Sequence, residues 1–214
     1  RADVVTVTAV QFYDELKAAN KKTYLIPNAV SDSFASGGAH GASFGRLRRA
    51  NVFGYIGTMS EWFDEAVIWK LLALDSRYEI YLAGRNDRRP ICHPRVHYLG
   101  ILENGQLPAL LETFDVCLYN FKQSPLLDTV NPVKIYEYLA LNKPVLAVKS
   151  KETLRFKKYL ALYEDVEEIE AIVKQGFWRP FADAKSHRQF LKHNSWEART
   201  AQIEQVFTRL RGSC

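Results

Sequence analysis

What this sequence lacks excludes several classes of protein. Among its 214 residues there are only three cysteines, Cys92, Cys117 and Cys214, and one methionine. The cysteines form neither a CxxC pair nor an even framework, so neither a disulfide scaffold nor a zinc site is predicted. We infer a reducing compartment, in which Cys117, lying in an apolar run, is a small residue of the core.

Long apolar runs and a strong excess of one charge are also missing. No apolar run reaches about 18 residues, so no membrane-spanning helix is predicted. Lys and Arg exceed Asp and Glu by 29 to 24, a mild excess that is compatible with an anionic ligand or an anionic membrane surface. Because the basic residues form no long run, nucleic acid is not predicted as a partner. We expect a cytoplasmic protein, with peripheral association at a membrane as an alternative.

Two nucleotide-binding motifs are absent. The chain contains neither Gly-x-x-x-x-Gly-Lys nor Gly-x-Gly-x-x-Gly, which argues against an NTPase and a dinucleotide-dependent oxidoreductase. His93 and His97 are separated by a proline-containing loop without a nearby pair of carboxylates, so no metal site is predicted. The chain begins at Arg1 without a signal-peptide pattern, and we expect it to be a fragment of a longer protein.

Short apolar segments alternate with helical patterns along most of the chain. This alternation predicts an α/β fold, a Rossmann-like parallel sheet with helices on both faces, whose ligands bind at the carboxyl ends of the strands. Strands are predicted at residues 4–8, 24–27, 53–57, 79–84, 96–100, 115–119, 144–148 and 159–163. Helices are predicted at residues 9–20, 62–74, 106–113 and 151–158, at the segment after Asn131, and from residue 165 to the end.

A glycine-rich stretch divides the chain. Residues 31–45 contain Gly37, Gly38, Gly41 and Gly45 and predict a flexible loop, with a boundary near residue 50. We therefore expect three parts, which are residues 1–50 as a linker and the remnant of a preceding domain, residues 51–175 as the Rossmann-like domain, and residues 176–214 as C-terminal helices.

The segment NPVKIYEYLALNKPVLAV, residues 131–148, is the most informative in the chain. Asn131 followed by Pro132 predicts a helix start, with Asn131 as the cap and Pro132 at the first helical position. Since the preceding loop leaves the carboxyl end of a predicted strand, the helix N-terminus should face the ligand and attract an anion. Lys134 opposes the helix dipole there, at a cost of some tenths of a kcal/mol, which a bound phosphate would reverse.

Glu137 follows Lys134 by three residues and lies on nearly the same helix face. A carboxylate can accept hydrogen bonds from the two hydroxyls of a ribose, so a lysine for phosphate and a glutamate for ribose together describe a nucleoside diphosphate. The alternative is an ordinary Lys–Glu pair on a partly solvated helix, which is a common arrangement. Trp62 and Trp69, at helical spacing, favour core packing over ligand stacking.

The same segment resembles the pattern P-x-K-x-x-E-Y-x-A-x-x-K-P-V of GT-B glycosyltransferases, especially the large family of bacterial polysaccharide and sucrose-type enzymes. Further stretches resemble this family in the same order, and together they cover most of the chain. They are ADVVTVT (2–8) and LIPNAV (25–30) of its hinge, GYIGTMSEWFD (54–64) of its glycine loop, YLAG (81–84), VHYLG (96–100), LPALL (107–111), FDVCLY (114–119) and the C-terminal NSWEAR (194–199).

The resemblance implies that residues 51–175 bind a nucleotide-sugar donor. Glu137 would match the second glutamate of the Glu–seven residues–Glu motif and hold the ribose. The other implied donor-binding residues are Lys134, Asn131 and Val133, with the backbone from Val130, for the diphosphate and sugar; Gly57 and Thr58 for the diphosphate; and His97, Tyr98 and Leu99 near the base.

Two departures from the family pattern stand out. The first glutamate of the motif falls at Thr129, with Asp128 one position away as a substitute. The first loop also lacks the family's common arginine and lysine, so Lys134, Arg85 or Lys122 must meet the phosphate charge.

The function implied is transfer of a sugar from a nucleotide diphosphate to a hydroxyl acceptor, in polysaccharide or glycan biosynthesis, without a metal or other cofactor. The acceptor, a glycan or lipid-linked glycan, would bind to a missing N-terminal domain, so this chain alone should be inactive, and the sequence identifies no catalytic residue. Two alternatives stay open. One is half of a nucleotide-sugar 2-epimerase, and the other is a non-catalytic GT-B domain that serves assembly, motivated by Thr129 and the altered first loop.

Overall fold

The structure is a computed structural model that describes residues 2–37, 51–177 and 179–211. The strands are β1 (Val5–Val7), β2 (Thr23–Leu25), β3 (Val52–Ile56), β4 (Glu79–Ala83), β5 (Val96–Gly100), β6 (Val116–Tyr119), β7 (Val145–Val148) and β8 (Ala161–Tyr163). The α-helices are α1 (Val10–Ala19), α2 (Asp32–Ala35), α3 (Glu65–Leu74), α4 (Leu107–Glu112), α5 (Val133–Ala140), α6 (Ile169–Gln175), α7 (Ala184–His193) and α8 (Trp196–Arg211).

Six strands form one parallel sheet in the order β5-β4-β3-β6-β7-β8. Every residue of β3, β6 and β7 is buried, because helices cover both faces of the sheet. The predicted Rossmann-like fold is thus confirmed. The strand order reverses between β3 and β6, so the ligand crevice of such a sheet is expected where these two strands end.

A second, two-stranded parallel sheet contains β1 and β2, with α1 as the crossover. Polar contacts join this part to the rest of the chain. The Arg199 guanidinium on α8 donates to the carbonyl oxygens of Pro27 and Asn28, at 2.8 and 3.2 Å from Nε. The Val30 N–H donates to the Asn194 carbonyl at 2.9 Å.

The predicted strands all occur, but two other segments differ from the prediction. Residues 32–35, predicted as loop, form α2, because Ser31 accepts a hydrogen bond from the Phe34 N–H and caps it. Residues 151–158 were predicted as a helix, yet only Thr153–Phe156 forms a short 3-10 turn.

Some predictions concern residues outside the described ranges. They are the boundary near residue 50, the glycines Gly38, Gly41 and Gly45, and Cys214. Cys117 is buried, as predicted. Within the described ranges, no helix has the length and apolar character that crossing a bilayer requires.

Candidate functional site

Two cavities open at the carboxyl ends of the central strands and share Thr58. The β4 cavity, of about 350 Å³, is lined by Gly57, Thr58, Ala83, Gly84, Arg85, Ile101, Leu102, Asn104 and Leu107. The β6 cavity, of about 340 Å³, is lined by Thr58, Trp62, Phe121, Lys122, Ser124, Leu126, Leu127, Val130 and Lys134. Their common wall lies at the end of β3, next to the reversal of strand order.

Two glycines allow the backbone to approach closely at this wall. Gly57 and Gly84 follow β3 and β4 with φ of +129° and +130°, a conformation that side chains rarely adopt. A Cβ atom on Gly84 would lie 2.2 Å from the carbonyl oxygen of Gly57. The Tyr55 hydroxyl, which donates to the Thr58 carbonyl at 2.9 Å, holds the same turn from below.

Lys134 reaches this turn from the first turn of α5. A Cβ atom on Gly57 would lie 2.2 Å from Cε and 2.6 Å from Nζ of Lys134, so the missing side chain makes room for the ammonium. The Lys134 Nζ also lies 5.6 and 5.8 Å from the ring centroids of Tyr55 and Phe121, where the aromatic faces attract a cation. Burial lowers the pKa of Lys134, and the charge of Glu137 offsets this effect only in part. In the part of the chain that the structure describes, this ammonium has no hydrogen bond or ion pair.

Glu137 is half-buried on the same helix. Burial raises the pKa of the Glu137 carboxyl, and the nearby Lys134 charge lowers it by less. The two side chains interact through their charges, yet among the described residues neither joins an ion pair within 4.0 Å. The ordinary Lys–Glu ion pair, which was the alternative drawn from the sequence, is therefore not formed between these two side chains.

The predicted cap of this helix is wrong. The N-cap is Pro132, and Asn131 lies one residue before it. The Asn131 Oδ1 accepts from the Asn28 N–H at 2.8 Å, and its Nδ2 donates to Glu152 Oε2 at 2.6 Å. Asn131 is thus buried between two other segments, so its side chain is not directed to the helix N–H groups or to either cavity. Val133, the first helical residue, is exposed.

The remaining predicted residues near the sugar and phosphate divide into two groups. Gly57, Thr58 and Arg85 line a cavity, although Arg85 already pairs with Asp87 at 2.9 Å. Thr129 and Asp128 do not line either cavity. The Thr129 hydroxyl donates to the Leu126 carbonyl at 2.7 Å, and an Asp128 carboxylate oxygen accepts from the Lys151 N–H at 2.9 Å.

The predicted base contacts are not brought to the cavities either. The Tyr98 hydroxyl accepts a hydrogen bond from the Ile91 N–H at 2.8 Å and so supports the loop after β4. His97 pairs with Glu79, the first residue of β4, at 2.6 Å, which places that ring toward the amino ends of the strands. Leu99 packs against the hydrophobic core.

Three residues that line the β6 cavity were not predicted to lie together. They are Trp62, Phe121 and Lys122. Trp62 is 39% exposed and lines the β6 cavity, contrary to the prediction of core packing; Trp69 is also partly exposed. The signal for them was their place in the loops that follow β3 and β6. Their loops, residues 58–64 and 120–123, are hydrogen-bonded together. We call them the paired loops. Lys122 N–H donates to the Trp62 carbonyl at 2.7 Å, and Phe63 and Phe121 form an antiparallel bridge.

No group of three or more His, Cys, Asp or Glu side chains that could hold a metal ion occurs among the residues described. The charged groups at the cavities are instead the cations Arg85, Lys122 and Lys134. An arrangement of glycine turn, half-buried ammonium and two adjacent cavities can hold an elongated ligand with negative charge at its middle.

The chain is similar to known proteins in sequence and in fold. No protein-family model matches the chain. In sequence, it is 28% identical over 181 residues to the putative teichuronic acid biosynthesis glycosyltransferase TuaH of Bacillus subtilis, a match that covers 78% of this chain and 45% of that protein. The chain therefore spans less than half the length of this curated relative.

Solved structures share the fold. Sucrose-phosphate synthase from Thermosynechococcus elongatus superposes with a TM-score of 0.68 at 17% identity, over 100% of this chain and 60% of that one. HepE of Anabaena, in complex with UDP, gives a TM-score of 0.73 at 15% identity, over 97% and 64% of the two chains. The resemblance drawn from the sequence is thus confirmed: this chain has the fold of GT-B glycosyltransferases, and its curated relative is a glycosyltransferase.

Proposed function

We propose that this chain is the donor-binding part of a glycosyltransferase that takes a nucleoside diphosphate sugar. The observation that carries the proposal is the Lys134 ammonium, which is half-buried against Gly57 without an ionic partner in the described chain. Keeping a cation in that position costs free energy through desolvation unless an anion meets it. A diphosphate at the shared wall of the two cavities supplies that anion.

The two cavities then hold the two ends of the donor. The nucleoside lies in the β4 cavity and the sugar in the β6 cavity, with the diphosphate at Gly57, Thr58 and Lys134. When the sugar leaves, negative charge grows on the diphosphate, and a prepositioned ammonium stabilises it without reorganisation. Lys134 would thereby assist departure of the nucleoside diphosphate, and no metal ion is required in this scheme.

The relatives support this assignment. The HepE structures contain UDP-glucose or UDP, and the curated relative carries a role in teichuronic acid biosynthesis in its name. By analogy, we propose that the acceptor is a glycan or lipid-linked glycan, held by a part of the protein outside this chain. Peripheral contact with a membrane would follow from a lipid-linked acceptor.

Titration calorimetry tests the proposal. UDP, GDP and dTDP are titrated into the chain with and without EDTA, together with the free nucleosides. We expect one diphosphate to bind equally well in both conditions. Lys134→Ala should weaken that diphosphate about tenfold, or ~1.4 kcal/mol, and leave the nucleoside almost unchanged. Glu137 lines neither cavity, so its predicted ribose contact needs a test of its own. Glu137→Gln should weaken both the diphosphate and the nucleoside by similar factors if its carboxylate holds the ribose that they share.

Lys143→Ala is the matched control. It removes the same charge at the far end of α5, where the ammonium donates to the Glu112 carbonyl, and should leave nucleotide binding unaffected. Failure of all three diphosphates to bind at millimolar concentration would refute the proposal. It would favour the second candidate, a non-catalytic domain that serves assembly, which the hydrogen-bonded Thr129 and Asp128 motivate.

A further inference from the structure

The β6 cavity carries charge of one sign only. Its nine lining residues include two lysines, Lys122 and Lys134, and no Asp, Glu, Asn or Gln. Apart from the hydroxyls of Thr58 and Ser124, the other side chains are apolar or aromatic. A neutral sugar presents many hydroxyl donors, which proteins meet with carboxylate and amide oxygens. This cavity offers hardly any such acceptor.

Two acids of the neighbouring segments, Asp128 and Glu152, are engaged elsewhere. Asp128 accepts from the Lys151 N–H at 2.9 Å. The carboxylate of Glu152 is fully buried and accepts from Asn131 and Arg155, at 2.6 and 2.9 Å, as well as from the Val10 N–H. Thr129, where the family pattern has a glutamate, turns its hydroxyl to the Leu126 carbonyl. These three side chains therefore supply no acceptor to the cavity.

Lys122, by contrast, is held at this cavity with its charge available. Its backbone is fixed by the paired loops, through the hydrogen bond from its N–H to the Trp62 carbonyl. Its side chain has no ionic or hydrogen-bond partner in the described ranges. Lys122 lines the β6 cavity and not the β4 cavity, whereas Lys134 stands at the glycine turn between them. If the diphosphate pairs with Lys134, the Lys122 ammonium is free to pair with a negatively charged group on the sugar.

We propose that the donor sugar is a hexuronate, whose carboxylate pairs with Lys122 while the ring lies against Trp62. This inference rests on the proposed function and names the substrate class of the same site. The apolar wall formed by Trp62 and Leu127 suits the C–H face of a pyranose, and the lysine supplies the one strong polar contact at that end.

Matched donor pairs that differ only in a carboxylate against a hydroxymethyl group test it. The pairs are UDP-glucuronate with UDP-glucose, UDP-galacturonate with UDP-galactose, and GDP-mannuronate with GDP-mannose, titrated into the chain beside UDP and GDP alone. We expect one uronate donor to bind about threefold to fivefold more tightly than its neutral partner at low salt, the range of a solvent-accessible ion pair. The preference should shrink as salt is added.

Lys122→Gln should abolish the preference and leave the affinity for the free diphosphate unchanged, whereas Lys192→Gln, an exposed lysine on α7, should preserve the preference. A diphosphate that binds while neutral and uronate sugars are equivalent overturns the inference and leaves the proposed function standing. A Lys122→Gln variant that weakens free UDP or GDP as much as the uronate donor also overturns it, because Lys122 would then contact phosphate. If no nucleotide binds at all, the proposed function fails and this inference with it.

Discussion

Glu137 is a carboxyl group that the folded chain makes harder to ionise. Burial raises its pKa from the ordinary value of 4.5, and the Lys134 charge only partly restores it. The folded state therefore holds the Glu137 proton more tightly than the unfolded state does. Ionisation of Glu137 costs stability, and this cost is absent below the unfolded pKa and develops as pH rises through the folded pKa.

Glu137→Gln should for this reason raise the melting temperature at pH 7 and change it little at pH 4. Glu170→Gln is a control of opposite sign, because a hydrogen bond from Lys174 lowers the pKa of Glu170. That variant should melt slightly below the parent chain at pH 7. Thermal unfolding at the two pH values measures both effects. A lower melting temperature for Glu137→Gln at pH 7 would show that the carboxylate stabilises the unliganded domain.

Gly57 is the residue on which the position of Lys134 depends. Gly57→Ala places a side chain at a φ of +129° and a methyl group 2.2 Å from the Lys134 Cε. We expect a loss of about 1–3 kcal/mol in stability from the strained backbone, together with weaker binding of nucleoside diphosphate. Gly105→Ala, where a Cβ atom would meet nothing within 4 Å, should change neither property.

The double variant Gly57→Ala, Lys134→Ala separates two effects of the new methyl group. One is backbone strain at residue 57, and the other is its clash with the Lys134 side chain. Removing the lysine opens space for the new methyl group, so Gly57→Ala should cost less stability in a Lys134→Ala background than in the parent chain. An equal cost in the two backgrounds, measured by chemical denaturation, would mean that Lys134 does not pack on Gly57.

At the scale of the elements, one buried carboxylate holds two helix starts together. Glu152 accepts from the Val10 N–H, at the start of α1, and from Asn131, just before α5. The N-cap of α1 is Ala9, which has no capping side chain of its own. Glu152 thus serves as a cap from a segment distant in sequence, and it fixes α5 against the segment that contains Asn28 through Asn131.

Glu152→Ala leaves Val10, Asn131 and Arg155 without their acceptor. We expect a loss of about 3 kcal/mol or more, as when other buried ion pairs are broken from one side. Glu164→Ala removes an exposed carboxylate that pairs with Lys149, and it should leave the denaturation midpoint almost unchanged. A midpoint for Glu152→Ala close to that of the parent chain would contradict this account of the network.

The contrast between these elements shows what the sequence could predict. The strands were predictable because each is a short apolar run, often followed by a glycine such as Gly57 or Gly84. The Asn131 cap was not, because its partners Asn28 and Glu152 lie 103 and 21 residues away. The helix predicted at residues 151–158 failed because the Thr153 hydroxyl donates to the Val148 carbonyl and favours a turn.

In the site, the sequence predicts that Lys134 and Gly57 both lie near the carboxyl ends of the strands, but it does not predict that they are in contact. That contact depends on how far α5 lies from the end of β3, which only the packed sheet sets. The hydrogen bond of Tyr98 could not be predicted for a similar reason, and its base-binding role stays a prediction. Its hydroxyl is engaged by the Ile91 N–H across a loop whose path the sequence does not specify.

At the scale of the whole molecule, Arg199 joins the segment after β2 to the C-terminal helices. It is a buried cation that donates to the Pro27 and Asn28 carbonyls from one side and to the His193 carbonyl from the other. Most of the hydrophobic core lies in the six-stranded sheet and its helices, and Val30 and Phe34 of the N-terminal part also belong to it.

Arg199→Met should therefore loosen one part of the molecule and spare the other. Hydrogen exchange followed by mass spectrometry should show faster exchange in residues 5–30, including the Val30 amide, and unchanged protection in β3, β6 and β7. Arg188→Met, on the exposed side of α7, is the matched control and should leave both regions as they are. Uniformly faster exchange throughout the large sheet would show that the two parts unfold as one unit.

The paired loops have a consequence for anyone who wishes to redesign the donor preference. Trp62 and Lys122 belong to different loops, yet their backbones share hydrogen bonds and the Phe63–Phe121 bridge. A single loop grafted from another protein would bring new side chains but lose the hydrogen bonds between the loops that fix their positions. The paired loops should thus be exchanged together. Libraries that vary only one of them will contain variants in which the two loops no longer fit each other at the cavity.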